Sequence, residues 1–126
     1  LPAYLGWQAF DRMAKMTPVR LQVKGGPKDN SVTVLAAKSS NNKKISILVS
    51  YWKEFSSGNP ANIHYNIDVT NFYSKGAPSG KVYVIDKDTK NIETGKDVSG
   101  DKSKKDSISI SGDINLWSVH LWEFER

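Results

Sequence analysis

The residues of this chain able to do chemistry are few. Glu123 and Glu125 stand two apart near the C-terminus. On a strand that spacing puts both carboxylates on one face, about 7 Å apart at the backbone. Such a pair could mimic the two carboxylates of a glycosidase. Nothing in the surrounding sequence argues for their burial, so a solvated or salt-bridged strand end is the favoured reading. His64 and His120, the two histidines, lie in separate strand-like segments without a local ligand partner, which argues against a metal site or a Ser-His-Asp device. Asp86, Asp88 and Glu93 offer oxygens but lack the glycine and terminal glutamate of a calcium loop. Gly25-Gly26-Pro27 lacks the Gly-Lys-Ser/Thr ending of a phosphate loop. With no cysteine, disulfides, thiolate nucleophiles and cysteine-ligated zinc are excluded. The expectation is a chain with no catalytic residue, no metal and no cofactor.

What remains is aromatic. The chain holds four Trp, five Tyr and four Phe. A flat ring packs well against the C–H face of a sugar, and Trp and Tyr present the largest such surfaces. Trp52, Phe55, Tyr73 and Trp117 are the candidates for carbohydrate contact, because they flank loops or strand ends. Tyr51 and Tyr65 fall in phase with aliphatic neighbours and are expected in the core. Trp7, Trp122 and Phe124 are candidates for packing between domains.

The elements that must position these rings read as one helix followed by strands. Pro2 to Met16 has helical apolar spacing, and Thr17-Pro18 stops it. Val19 to Lys24, Ser31 to Lys38, Lys44 to Trp52, Ile63 to Thr70, Lys81 to Asp86 and Ser107 to Ser111 alternate apolar and polar residues. Ser39-Ser40-Asn41-Asn42 reads as a hairpin turn, Gly112-Asp113 as a turn, and Lys87 to Lys105 as a long polar loop. The closing run, Leu116 to Arg126, is apolar on both faces: Trp117, Val119 and Leu121 on one, Leu116, His120, Trp122 and Phe124 on the other. The first face is expected in the sandwich core. The second is expected under the Tyr4-Trp7-Phe10 helix or a partner domain. Seven or eight strands with turns between them give an all-β fold, an antiparallel β-sandwich with one N-terminal α-helix. Residues 1–126 are expected to form a single domain, with 1–16 a helix or junction segment and 18–126 the sandwich.

Length and charge bound the partners. At 126 residues the chain is of single-domain size. Its net charge of +5 sits largely in turn-like segments such as Lys43-Lys44 and Lys102 to Lys105, without interleaved aromatics. That pattern argues for solvated loops and against nucleic acid. No apolar run has the length of a membrane span, and no signal peptide is seen. The chain starts at Leu1, as an excised piece of a longer protein or a processed product would.

Three stretches carry a resemblance to a known family. They are Trp7-Gln-Ala-Phe-Asp-Arg-Met with Thr17-Pro-Val-Arg-Leu; Val32-Thr-Val-Leu-Ala-Ala-Lys with Lys44-Ile-Ser-Ile-Leu-Val-Ser-Tyr-Trp; and Ser118-Val-His-Leu-Trp-Glu-Phe-Glu. Together with His64-Tyr-Asn-Ile-Asp-Val they resemble the C-terminal β-sandwich that follows the (β/α)8 barrel in retaining glycoside hydrolases, nearest family 39 and also families 30 and 51. The resemblance implies a non-catalytic accessory module of a secreted, extracellular polysaccharide-degrading enzyme, packed on the catalytic barrel and contacting carbohydrate. Neither catalytic glutamate of such enzymes matches a residue here, and Lys87 to Lys105 has no counterpart. The alternative is an autonomous carbohydrate-binding module that recognises plant cell-wall polysaccharide through surface aromatics. A protein-interaction sandwich with no sugar role is a third class.

Overall fold

The computed structural model describes residues 3–26, 31–53, 62–72, 78–89, 95–99, 101–104 and 107–126, with backbone alone for Ala3, Ser99 and 101–104. Helix α1 spans Ala3–Met16. Leu5, Ala9 and Met13, four residues apart, form its buried stripe. Pro18 disfavours helical backbone at Thr17. The helix ends there, with the Thr17 N–H and hydroxyl both donating to the Met13 carbonyl, at 2.9 and 2.7 Å.

Nine strands follow among the described residues: β1 (Val19–Leu21), β2 (Val32–Lys38), β3 (Lys44–Tyr51), β4 (Ile63–Thr70), β5 (Ser79–Ile85), β6 (Lys96–Ser99), β7 (Asp101–Lys104), β8 (Ser107–Ile114) and β9 (Ser118–Glu125). They form a six-stranded sheet in the order β1-β2-β3-β9-β5-β6 and a three-stranded sheet in the order β4-β8-β7, antiparallel throughout. The expected hairpin turn links β2 to β3. Asn42 takes a left-handed φ of 61°, and the Asn41 side chain accepts from the Ser39 hydroxyl and the Lys43 N–H.

The fold is therefore the expected antiparallel sandwich with one helix, and it differs from expectation in three places. Lys87 to Lys105 is not all loop, because it supplies β6 and β7. Its charged residues hid two short strands, each at the edge of its sheet. Gly112-Asp113 is not a turn but the continuation of β8. Gly112 faces Tyr65 across the β4–β8 ladder, and a Cβ there would lie 2.8 Å from the Tyr65 hydroxyl. The missing side chain makes room for a ring, which is a second use of glycine within a strand.

The third correction concerns β9. It lies between β3 and β5 and is buried on both faces. The assignment of those faces is the reverse of the expected one. Val119 and Leu121 pack against the helix stripe of Leu5, Ala9 and Met13, along with Leu48, Tyr83 and Ile85. Trp122 and Phe124 instead face the second sheet, among Ile47, Val49, Ile108, Ile110 and Ile114. Trp122 retains 8% exposure, so the small sheet, not the helix, covers it. Periodicity shows that β9 has two apolar faces but carries no information about which layer meets which.

Candidate functional site

The carboxylate pair separates into two different environments. The Arg12 guanidinium donates to both oxygens of Glu123, at 2.6 and 3.0 Å, and to the Tyr83 hydroxyl at 3.1 Å. It also lies 5.0 Å from the centre of the Tyr83 ring. The hydrogen bond to Glu123 raises the Arg12 pKa further, against the opposing effect of burial. Glu125 is exposed at the strand end, opposite Lys44 and Ser79. A groove of about 720 Å³ runs past these residues and past Lys81 and Asp97. The Lys81 ammonium donates to Asp97 at 2.8 Å, which raises the lysine pKa and lowers that of the aspartate. Glu123 is thus held in a bidentate clamp that pins α1 to β9, as a structural anchor.

The histidines also find partners that the sequence did not show. His64 Nδ1 lies 2.9 Å from Asp113 on the outer face of the small sheet, because the two residues are opposite in register. Among the described residues no group of three His, Asp or Glu is placed to hold a metal ion. His120 belongs to a buried trio. Trp122 Nε1–H donates to the Tyr65 hydroxyl at 2.8 Å, and that hydroxyl lies 2.7 Å from His120 Nδ1. Burial keeps His120 below its ordinary pKa, against a weaker opposing pull from Asp86. It pushes Tyr65 up to about 12, against the lowering effect of the Trp122 hydrogen bond. A neutral imidazole with Nδ1 unprotonated accepts from the tyrosine, and the hydroxyl then uses its one hydrogen and one of its lone pairs. Tyr51 and Tyr65 both lie in the core, as expected.

The exposed aromatics fall on two surfaces. The first is one end of the sandwich. Trp52, just past β3, is 55% exposed, and Trp117, just before β9, is 45% exposed. The Trp117 N–H donates to the Tyr51 carbonyl at 2.7 Å, and its indole N–H to the Lys53 carbonyl at 2.9 Å. Trp117 has a left-handed φ of 61°, a conformation that L side chains seldom adopt. It therefore lies in the turn before β9 and does not continue the Val119–Leu121 face. Phe55 and Tyr73, the other two carbohydrate candidates, lie outside the described residues. Phe72 is at the opposite end of the sandwich, beneath the Arg126 guanidinium at 5.5 Å.

The second surface is the outward side of α1. Trp7 there is 73% exposed, and Tyr4 and Phe10, three residues to either side, are exposed as well. These rings point away from the sheet that Leu5, Ala9 and Met13 cover, which corrects the expectation that they lie over β9. Of the three interdomain candidates, Trp7 alone is on an outer surface; Trp122 and Phe124 are interior.

No family model and no curated protein sequence matches this chain. Solved structures do. A glucosidase from Croceicoccus marinus matches over 85% of this chain and 27% of its own, with a TM-score of 0.58 and 19% identity. A GH30 endoxylanase from Clostridium papyrosolvens matches over 85% of this chain and 23% of its own, with a TM-score of 0.54 and 17% identity. The chain thus spans about a quarter of the length of each. It has the fold of a β-domain found within glycoside hydrolases.

Proposed function

We propose that this chain is a non-catalytic accessory β-domain of a glycoside hydrolase and docks on the catalytic domain through the outer face of α1. The observation that carries this reading is the shared fold over 85% of the chain, against only about a quarter of each glycosidase. The aromatic face of α1 supports it. A helix in a small domain needs one apolar stripe, and α1 has a second, centred on Trp7. Glu123, clamped by Arg12, is not assigned any bond-breaking step. In this reading the chain works outside the cell, where polysaccharide is met. The Trp52–Trp117 end lends two rings to carbohydrate, a contact that rests on the exposure of both and on the Trp117 bonds to the Tyr51 and Lys53 carbonyls, on either side of Trp52 in the chain.

Two measurements test it. Iodide quenching should reach Trp7 in the isolated chain and be lost for Trp7 in the polypeptide that joins it to a catalytic domain. Equal quenching in both would sink the docking reading. Affinity electrophoresis of the isolated chain on xylan, cellulose and β-glucan tests the sugar contact. Retardation that disappears in Trp52→Ala supports it, and unretarded migration on every polymer removes it.

A further inference from the structure

We propose that the groove beside the C-terminal half of α1 binds a neutral oligosaccharide through charged side chains held in pairs of opposite sign. The groove has a volume of about 720 Å³, within the ~300–1,000 Å³ of ordinary small-ligand sites. One wall is α1, through Arg12, Met16 and Thr17. The floor is the outward face of β3, β9, β5 and β6, beyond the Leu48, Leu121 and Tyr83 positions that the helix covers. Strands β3, β9 and β5 are paired on both sides, so the floor presents side chains and no unpaired ladder. The aromatic residues that line it, Tyr83 and Phe124, are buried, which leaves no ring for stacking. Recognition here is polar.

The charge pattern selects the ligand class. Among the described residues that line the groove, Arg12, Lys44 and Lys81 stand against Asp97, Glu123 and Glu125, and the formal charges cancel. Two ion pairs interleave them, Arg12 with Glu123 and Lys81 with Asp97. A ligand with net charge of either sign meets a like charge beside each opposite one, which removes the gain. A ligand whose groups both donate and accept finds a match at each position, and hydroxyls do both. The pairs keep capacity for it. Three of the five N–H groups of the Arg12 guanidinium are engaged, which leaves the two on Nη1. The Lys81 ammonium uses one of its three N–H groups on Asp97, and both side chains are open to solvent, at 49% and 89% exposure. Lys44 and Glu125 have no salt bridge among the described residues. Ser46 and Ser79 also line the groove. Groups already held by a partner lose little freedom on binding. The groove lies at the Glu125 end of β9, and Trp117 precedes the other end, about 25 Å away along the strand. Two sugar sites so spaced on one domain raise the effective concentration of a polymer at each. This inference deepens the carbohydrate contact proposed above and rests on that reading for the source of the glycan.

Amide NMR of the isolated chain tests it. Xylotetraose and cellotetraose are each titrated to about 20 mM, well past a millimolar Kd. At least one should shift the Ser46, Lys81 and Glu123 amides along a saturating curve. Lys81→Ala should weaken that binding about tenfold, the worth of one hydrogen bond to a charged group. Asp97→Ala should act in the same direction, and Trp52→Ala should leave the curve unchanged. Both groove substitutions fall on an exposed pair, and unchanged peaks elsewhere verify that the fold is kept. Silence of the groove amides with both sugars overturns the inference, as does equal affinity in Lys81→Ala and wild type. Tighter binding of tetragalacturonate, weakened by salt, also overturns it and makes the groove an anion site. The indole N–H peaks of Trp52 and Trp117 report the other end separately. Indole shifts without groove shifts overturn this inference and leave the contact proposed above standing. Groove shifts without indole shifts support it and remove that contact. Neither result bears on the Trp7 quenching test of docking.

Discussion

Strand β9 divides two apolar layers that are held in different ways. On one side Trp122 and Phe124 meet a second sheet, whose own ladders hold it together. That layer encloses a polar trio, Tyr65, His120 and Trp122, in which every member has a partner. On the other side Val119 and Leu121 meet a single helix. There a polar anchor lies at the margin, where Arg12 bridges Glu123 and Tyr83. A sheet is lost only with many hydrogen bonds at once. A lone helix can lift with its own hydrogen bonds intact. The contrast places rigidity between the sheets and adjustability under α1, the element that also presents Trp7 outward.

The largest effect separates the layers directly. Phe124→Ala, which empties a site in the inter-sheet core, should cost about 3–5 kcal/mol, and Leu5→Ala in the helix layer about 2–4 kcal/mol. The kinds of unfolding should differ more than the sizes. Phe124→Ala should lower the denaturation midpoint of the whole chain in one transition. Leu5→Ala should speed hydrogen exchange across α1 before the β3 and β9 amides are reached. Uniform acceleration of α1 and β9 in Leu5→Ala would show that the two layers open as one unit and erase the contrast.

Sequence and structure part company along the same division. The strands β2, β3, β4, β5 and β9 were legible because alternation is a local property, and α1 because Leu5, Ala9 and Met13 repeat at helical spacing. Which layer meets which face of β9 is a tertiary property on which periodicity is silent, and the expected assignment is the reverse of the observed one. The trio was out of reach because Tyr65 and Trp122 stand 57 residues apart. Its one local trace was Gly112, which reads as a turn until the Tyr65 ring is seen opposite it. Of the exposed aromatics, Trp7 and Trp52 were found by type and position. Trp117 stands out by type as well, but its left-handed backbone, which sets the ring outside the strand, leaves no mark in composition.

A smaller effect comes from single hydroxyls in the two layers. Tyr65→Phe removes the oxygen between Trp122 Nε1 and His120 Nδ1, leaving two buried polar atoms without that partner. The expected loss is about 1–3 kcal/mol, the cost of leaving such groups unsatisfied. Tyr83→Phe removes a hydroxyl that accepts from Arg12, whose side chain is part-exposed and keeps its bonds to Glu123. Its loss should stay at or below about 1 kcal/mol, as for a replaceable hydrogen bond. Urea denaturation of both variants at pH 7.5 decides it. Equal losses would mean that the helix margin is as closed to water as the sandwich interior.

The smallest effect is a pH dependence that only the inter-sheet layer should show. His120 is kept neutral by burial, so its folded pKa lies below the ordinary 6.5 that applies in the unfolded chain. Above 6.5 neither state binds the proton, and the residue leaves stability independent of pH. As pH falls through that value the unfolded chain takes up a proton that the folded chain refuses, so folding weakens. The slope reaches at most about 1.4 kcal/mol per pH unit and ends where the folded imidazole itself protonates. Tyr65 adds nothing in this window, since its pKa of about 12 keeps it protonated throughout. Carboxylates contribute their own slope at lower pH, so the measurement is a difference: wild type minus His120→Asn, by urea denaturation between pH 7.5 and 5. The asparagine side chain offers an oxygen to the tyrosine and does not titrate. Stability of the wild type should fall relative to the variant as pH drops from 6.5. A difference that stays constant across the range would mean that the folded imidazole protonates as freely as the unfolded one, and the layer would then be open to water.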